Sequence, residues 1–144
     1  MIVGELSLIA AASFSGAAVY VSACEQPARL ALDDRAILVE WKPSYKHGAA
    51  MQAPLALIGS LLGGVAWWQA GDWRWLLGAI ALISAWPWTL LVIRPTNDRL
   101  MAMNPEEAGP GSRALIKKWG RLHLVRAGQG IVATLCFLSA SAWP

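Results

Sequence analysis

The sequence predicts an all-α integral membrane protein, built as a four-transmembrane-helix up-down bundle with a short interfacial helix in the first long loop. The chain has 144 residues, of which 56% are hydrophobic and 15% charged, and its mean hydropathy is +0.44. These values are too apolar for a soluble domain. Its nine tryptophans lie mostly near the ends of apolar runs, as in the aromatic belts of membrane proteins. We expect one membrane domain, residues 1–144, with spans at about 2–23, 47–70, 73–93 and 113–143.

The first span is rich in Ala, Ser and Gly, which lets transmembrane backbones approach one another closely. We expect Glu25-Gln-Pro27 to break this span. In the loop that follows, Asp33 or Asp34 can cap a short helix that ends before Pro43. Because that helix has an apolar side, we expect it to lie along the membrane interface.

The second span contains Gly59-Ser-Leu-Leu-Gly63, a spacing of small residues typical of helix contacts. Gly71-Asp72 predicts a tight turn, and Pro87 predicts a kink in the third span. Prolines and glycines predict an irregular loop over residues 94–112. Ser112 is then the expected N-cap of the fourth helix.

The fourth helix carries its polar residues on one seam. A 4-3-4-3-4 spacing places six residues along one side of a continuous helix, which is the side expected to pack against the other spans. These residues are Trp119, His123, Arg126, Gly130, Ala133 and Phe137.

The basic residues predict the orientation in the membrane. Of the twelve Lys and Arg residues, all except Arg74 lie in the two long loops or in the adjoining part of the fourth helix. This asymmetry places both long loops in the cytoplasm and both termini outside. We expect Lys117, Lys118 and Arg121 to contact lipid headgroups. Because the basic residues flank apolar spans and form no separate basic domain, the sequence argues against nucleic acid as a partner.

Polar residues from all four spans converge on the loop side of the predicted bundle. Ionisable groups inside a membrane are costly, so they usually pair with one another or line a cavity. The converging residues are Glu25, Tyr45, His47, Gln52, Arg94, Asn97, Asp98, His123, Arg126 and Gln129.

Three interpretations of this cluster remain open from the residues alone. Glu25, His47 and His123 have the residue types of a two-His-one-carboxylate non-haem metal site. Alternatively, His123 acts as a general acid or base on a phenolic substrate, oriented by Glu25 or Asp98, while Arg126 stabilises an anion. In the third interpretation Arg126 pairs with Glu25 or Asp98 and only holds the bundle together.

No motif in the sequence requires a cofactor. The chain has no Gly-rich phosphate loop, no nucleophile elbow and no Cys-X-X-Cys, so it gives no support for nucleotide chemistry, serine hydrolysis or dithiol redox chemistry. A lone intramembrane histidine can ligate haem, but only His123 itself would argue for that.

Five short motifs along the chain carry a family resemblance. They are Glu25-Gln-Pro-Ala-Arg29, Trp41-Lys-Pro-Ser-Tyr45, Met51-Gln52, Pro95-Thr-Asn97-Asp-Arg99-Leu100 and Trp119…His123…Arg126. Together they resemble the anthrone-oxygenase-like membrane family, much of which has been catalogued as a domain of unknown function. The resemblance implies a four-span fold and, from some fungal members, oxidation of anthrones to anthraquinones with molecular oxygen. The matching polar positions are Glu25, Tyr45, Asn97, His123 and Arg126.

Two functional hypotheses follow. The first is an oxidoreductase, or a binder of a lipophilic phenolic molecule, in a bacterial inner membrane, with its cavity lined by Tyr45, Asn97, His123 and Arg126. The second is a non-catalytic accessory subunit that docks on other membrane-protein subunits or on a copy of itself. Transport is a weaker third option, because four spans are few for a carrier and only the Pro87 region suggests a broken helix.

Overall fold

The computed structural model describes residues 1–143 and is almost entirely helical; Pro144, the last residue of the predicted domain, lies outside the described residues. Within residues 1–143, four helices are long and apolar enough to cross a membrane. They are α1 (Ile2–Leu30), α2 (Asp34–Ala70), α3 (Trp73–Ala102) and α4 (Pro110–Ala142). Each helix packs against its neighbours in sequence, and α4 closes the ring against α1. The arrangement is the predicted up-down bundle.

The bundle has two ends of different character. Met1, the end of α4 at Ala142 and the Gly71-Asp72 turn lie at one end, which we call the terminal end, where Arg74 Nη1 donates to the Ser139 carbonyl oxygen at 2.9 Å. The connections 31–33 and 103–109 lie at the other end, which we call the loop end. We refer to the corresponding parts of the bundle as the terminal half and the loop half.

The terminal half is packed around Phe137 of α4, which is fully buried. A Cβ atom at Gly63 or Gly78 would come within 2.7 or 2.4 Å of the Phe137 ring, so these positions admit only glycine without rearrangement. Trp75 stacks on the same ring with centroids 5.5 Å apart. Gly59 is likewise closed to a Cβ by a side chain of α3. The predicted helix contact over Gly59 to Gly63 is therefore confirmed, and it brings the helices together through small residues.

The loop half has an aromatic core instead. Trp41 is fully buried; its ring stacks on Tyr45 with centroids 5.0 Å apart and meets Trp119 edge to face at 5.8 Å. Ile37 and Leu38 are also fully buried in this core. The side that was expected to lie on the membrane interface thus packs inside the bundle.

The expected short helix does not end at Pro43. Asp33 caps the helix as predicted, because its carboxylate accepts from the Ala36 N–H at 2.9 Å, but the helix then runs unbroken to Ala70. A proline inside a helix removes one backbone hydrogen bond. Here the packing of Trp41 and Tyr45 on either side of Pro43 holds the segment in place.

The expected break at Glu25-Gln-Pro27 is not present either. The helix widens into a π turn over Val21–Glu25 and continues to Leu30. The same pattern recurs in α3, where a π turn over Thr89–Ile93 precedes Pro95. A proline ring clashes with the carbonyl group four residues earlier, and a wider turn relieves that clash without ending the helix.

The interruption of α3 lies one turn before Pro87, the residue that predicted it. Regular helix ends at Ile83, Ser84 adopts a turn, and helix resumes over Ala85–Trp88. Ile83 is four residues before Pro87, so its carbonyl group is the one that the ring displaces.

The second long loop is shorter than expected. Helix continues from Arg94 to Ala102, and only a 3₁₀ turn, Pro105–Glu107, separates it from α4. Ser112 is not the N-cap of α4, which begins at Pro110; its hydroxyl instead accepts from the Gly109 N–H at 3.0 Å from inside the first turn.

Candidate functional site

A small cavity lies in the loop half and is lined by residues of all four helices. Its volume is about 20 Å³, which is room for a single water molecule. We call it the polar cavity, because most of its chemistry comes from polar side chains. Those are Ser44, Tyr45, Gln52, Asn97, His123 and Arg126. The structure thus brings together four of the five predicted site residues, whose roles in catalysis stay predictions.

His123 is buried on the α4 seam and is held on two sides. Its ring stacks on Trp119 with centroids 4.9 Å apart, and its Nδ1 lies 3.2 Å from the Ser22 hydroxyl oxygen. Ser22 belongs to the π turn of α1. Ser22, and not the expected Glu25 or Asp98, therefore fixes the orientation of the imidazole and leaves Nε2 as its free nitrogen.

Arg126 is a buried cation with no acidic partner. Its side chain is 8% exposed, its Nε has no hydrogen-bond partner in residues 1–143, and none of the ion pairs in that range includes it. Its guanidinium carbon lies 5.4 Å from the centroid of the Phe14 ring. A cation–π contact of this kind compensates only part of the cost of burial.

The pairing expected for Arg126 is wrong, because both candidate carboxylates are engaged elsewhere. Glu25 accepts hydrogen bonds from Arg29 and Ser44. Asp98 pairs at 3.6 Å with Arg94 on the exposed surface of the same helix. Neither carboxylate is therefore available to pair with Arg126, as the purely structural interpretation of that residue requires.

Two buried amides face the same cavity with unused hydrogen-bonding capacity. Gln52 and Asn97 are each 2% exposed. The Gln52 Oε1 and both polar atoms of the Asn97 amide have no hydrogen-bond partner in the described part of the chain. Buried polar groups are nearly always paired, so this concentration of unpaired atoms at one cavity indicates a place for a polar ligand.

Arg29, the other buried arginine of the loop half, is paired with several side chains. Its Nε donates to Glu40 at 2.6 Å, its Nη1 to the Gln26 amide oxygen at 3.0 Å and its Nη2 to the Ser44 hydroxyl at 2.9 Å, and it also binds Glu25. Its guanidinium carbon lies 5.5 Å from the Trp119 ring centroid. Through Trp119 this network supports His123.

A second, apolar cavity of about 120 Å³ adjoins the polar one. The two share Tyr45, Ala49 and Arg126, so the guanidinium stands at the boundary between them. The other walls are side chains of α2 and α3, including Trp86 and Leu90, which also face outward from the bundle. This apolar cavity suits the hydrophobic body of a ligand that enters from the bilayer.

The metal site considered from the sequence is not assembled. Glu25 and His47 line an open groove between α1 and α2, on the outer side of the bundle, whereas His123 lines the polar cavity. In residues 1–143, no three His, Cys, Asp or Glu side chains are grouped so that they could share one metal ion.

Two residues that hold the site in place, Ser22 and Arg29, are not among the site residues predicted from the sequence, and neither is Gln52, which lines the polar cavity. Ser22 lies in an apolar run, where a serine is easily overlooked. The Glu25-Gln-Pro27 segment could have indicated its role, because a wider turn before Pro27 changes the direction in which Ser22 points. Arg29 belongs to the motif that follows the first span and counts among the basic residues of the first loop, but the sequence does not predict its burial, which leaves it 2% exposed. Gln52 was part of the predicted polar cluster but not of the predicted site.

Part of the chain matches a known family and a curated relative. Residues 41–136 match the family described as anthrone oxygenase, a range that includes Tyr45, Gln52, Asn97, His123 and Arg126. A curated relative, Anthrone oxygenase tpcL of Aspergillus fumigatus, is 42% identical over 55 residues, which are 36% of this chain and 34% of the relative. The match therefore spans about a third of that protein's length. No solved structure matches the chain. Because the family match covers more than half of the sequence, this chain belongs to the anthrone oxygenase family.

Proposed function

We propose that the chain is a membrane oxidoreductase that oxidises a lipophilic, phenolic or anthrone-like substrate with molecular oxygen. The observation that carries the proposal is Arg126, which lies one helical turn from His123 and is a buried cation without a counter-ion among residues 1–143. An uncompensated charge inside a membrane helix is costly, and such residues usually serve a ligand or an ion pathway. Family membership supplies the class of reaction.

The substrate enters from the bilayer and lies across both cavities. Its ring system occupies the apolar cavity, and its oxygen substituents reach the unpaired amides of Gln52 and Asn97. Trp86 closes the apolar cavity on the membrane side through one hydrogen bond, from its Nε1 to the Ala53 carbonyl oxygen at 3.2 Å. Movement of this indole widens the cavity for a fused-ring ligand.

The chemistry requires a base and a site for negative charge. An anthrone carries an acidic methylene group opposite its carbonyl group, and Nε2 of His123 accepts one of those protons. The charge of the resulting anion spreads to the carbonyl oxygen, where Arg126 stabilises it. The anion adds molecular oxygen to give a peroxide anion, which takes a proton back from His123. The resulting hydroperoxide loses water to form the quinone, so one oxygen atom stays in the product and the other leaves as water.

We also propose a location for the chain. Residues 1–144 form one domain in a bacterial inner membrane, with the loop end in the cytoplasm and both termini outside. The distribution of basic residues supports this orientation, because Arg74 is the only one of the twelve Lys and Arg residues that lies on the side of the terminal end.

The test is oxygen uptake and quinone formation by the purified chain with anthrone as the probe. Replacement of His123 by Ala is expected to lower the turnover by about 10²–10⁴-fold, the usual contribution of a general base. His47→Ala is the matched control, because His47 is the other histidine and lies on the outer groove.

Three outcomes would contradict the proposal. Equal losses in the two histidine variants would show that His123 is not the base. Loss of the folded, detergent-soluble state in His123→Ala with no turnover in the wild type would support a structural role. Co-purification of the chain only within a larger complex, again without turnover, would favour the accessory-subunit hypothesis.

A further inference from the structure

A second groove, on the side of the bundle formed by α1 and α4, has the character of a lipid site. Its volume is about 310 Å³, and it lies at the loop end, separate from the substrate cavities. Ser22 and Gln26 of α1 form one wall, Lys117 and Arg121 of α4 form the other, and Leu124 continues the groove toward the middle of the bundle. We call it the basic groove.

The two cations of this groove have no acidic neighbour. Lys117 and Arg121 are four residues apart on one face of α4, a spacing at which like charges repel each other. Neither takes part in any of the ion pairs formed within residues 1–143, and no Asp or Glu side chain lines the groove. Four other arginines of the loop end, Arg29, Arg35, Arg94 and Arg113, each pair with a carboxylate, whereas Arg99 forms no ion pair within residues 1–143 and does not line the groove. An external anion is therefore the missing partner.

The apolar continuation decides what kind of anion fits. Leu124 is 56% exposed and lies one turn below Arg121, on the surface that faces the bilayer. A free phosphate would use only the two cations. A phospholipid would use both parts, with its headgroup between Lys117 and Arg121 and an acyl chain along Leu124.

We propose that the basic groove binds one anionic phospholipid. Lys118 provides a control within the same helix, because it is exposed and equally basic but does not line the groove. From the sequence, Lys117, Lys118 and Arg121 are all expected to contact lipid headgroups. In our proposal only Lys117 and Arg121, which line the groove, bind this lipid. Ser22 lines this groove and also contacts His123, so the lipid lies directly behind the predicted base.

The experiment titrates phosphatidylglycerol into the purified full-length chain and counts bound lipids by native mass spectrometry. The double variant Lys117→Ala/Arg121→Ala is expected to bind the first lipid roughly 25-fold more weakly, about fivefold for each cation removed. Lys118→Ala is expected to bind like the wild type. The charge-preserving variant Lys117→Arg/Arg121→Lys should keep most of the affinity, which separates lost charge from lost fold.

Other outcomes overturn the proposal. Equal weakening in Lys118→Ala and in the double variant would mean diffuse attraction to a basic surface. Equal affinity for phosphatidylcholine would show that the negative charge is not recognised. Displacement of the lipid by inorganic phosphate alone would mean a simple anion site to which the Leu124 surface contributes nothing.

Discussion

The loop half contains two buried arginines in opposite circumstances. Arg29 is 2% exposed and donates to four side chains, two of them carboxylates, whereas Arg126 is 8% exposed and pairs with none in the described part of the chain. The bundle can therefore neutralise a buried guanidinium with carboxylates. It leaves Arg126 without one in the described residues, at the boundary between a polar and an apolar cavity, and this difference supports the ligand site that we propose there.

The sharpest way to break this comparison is Arg126→Met. Turnover of anthrone is expected to fall by about 10²–10³-fold, the usual loss when one group that stabilises an oxyanion is removed. Unfolding stability is expected to stay equal or to rise, because an unpaired buried charge is replaced by an apolar side chain of similar length. Quinone formation and unfolding in mixed detergent micelles measure the two effects. A large loss of stability would place Arg126 in the same class as Arg29.

Arg29→Met is the complementary change. It should lower the free energy of unfolding by about 3 kcal/mol, because breaking a buried pair leaves its partners without compensation. The estimate is at the low end of the usual range because the Glu25 and Glu40 side chains are 23% and 35% exposed and keep some solvent.

Arg35→Met is the control for that experiment. Arg35 pairs with Glu106 at 3.3 Å on the surface, where both side chains are about two-thirds exposed. A loss of less than about 0.5 kcal/mol is expected there. Similar losses in the Arg29 and Arg35 variants would remove the distinction between buried and exposed pairs.

A change in the terminal half tests whether the two halves are separable. Gly78→Ala places a methyl group 2.4 Å from the Phe137 ring and should cost about 1–3 kcal/mol through overpacking. Turnover per folded molecule should not change, since the polar cavity is distant. Gly64→Ala, where a Cβ meets nothing within 4 Å, should be neutral or slightly stabilising. A loss of turnover in Gly78→Ala at full folding would show that the halves are coupled.

The last prediction concerns Arg74 and its partner Asp72 at the terminal end. The hydrogen bond from the Arg74 side chain holds the pKa of Asp72 below its usual value, and the Asp72 carboxylate also caps α3 through the Arg74 N–H at 2.9 Å. Asp72→Ala should cost about 1 kcal/mol at neutral pH.

The pH dependence of that contribution has a definite sign. A lowered pKa in the folded state means that stability is fully present above the ordinary pKa of an aspartate and is lost as the pH falls through the lowered one. Thermal unfolding from neutral to acidic pH measures this, and the gap between wild type and Asp72→Ala should close in acid. Asp72→Asn should keep the cap without the acid-dependent loss. A gap that stays constant with pH would contradict the ion-pair explanation.

Much of the fold was predictable because membrane helices follow simple rules. The α4 seam from Trp119 to Phe137 is buried along its whole length, as its spacing predicts, since every inward position of a bundle helix must be filled. The failures occurred at prolines. The sequence predicts that helices end at Pro27 and Pro43. In the structure the helix continues past both prolines, because packing against the surrounding helices stabilises it there.

The site was predictable as a place and less so as a set of partners. Tyr45, Asn97 and His123 meet because each lies in the half of its helix nearer the loop end, an arrangement that topology alone dictates. Arg126 joins them from the middle of α4, one turn beyond His123. Which carboxylate meets which cation depends on helix rotation, and a π turn changes that rotation. The sequence predicts Glu25 as a partner of Arg126 or His123, and because the π turn rotates this part of α1, Glu25 pairs with Arg29 instead.

The two π turns also bear on how the gene can change. In an α-helix each residue advances the chain by about 100°, and a π turn takes up one extra residue locally, so the helix beyond the turn keeps its orientation. Deleting one codon within Val21–Glu25 or Thr89–Ile93 is expected to restore an ordinary helix that keeps Arg29 or Asn97 near its present place, while side chains inside the turn, such as Ser22, change direction. Alignments of distant relatives should therefore allow a single-residue gap at these two points, and gene variants that lack one should be folded but altered at the cavity.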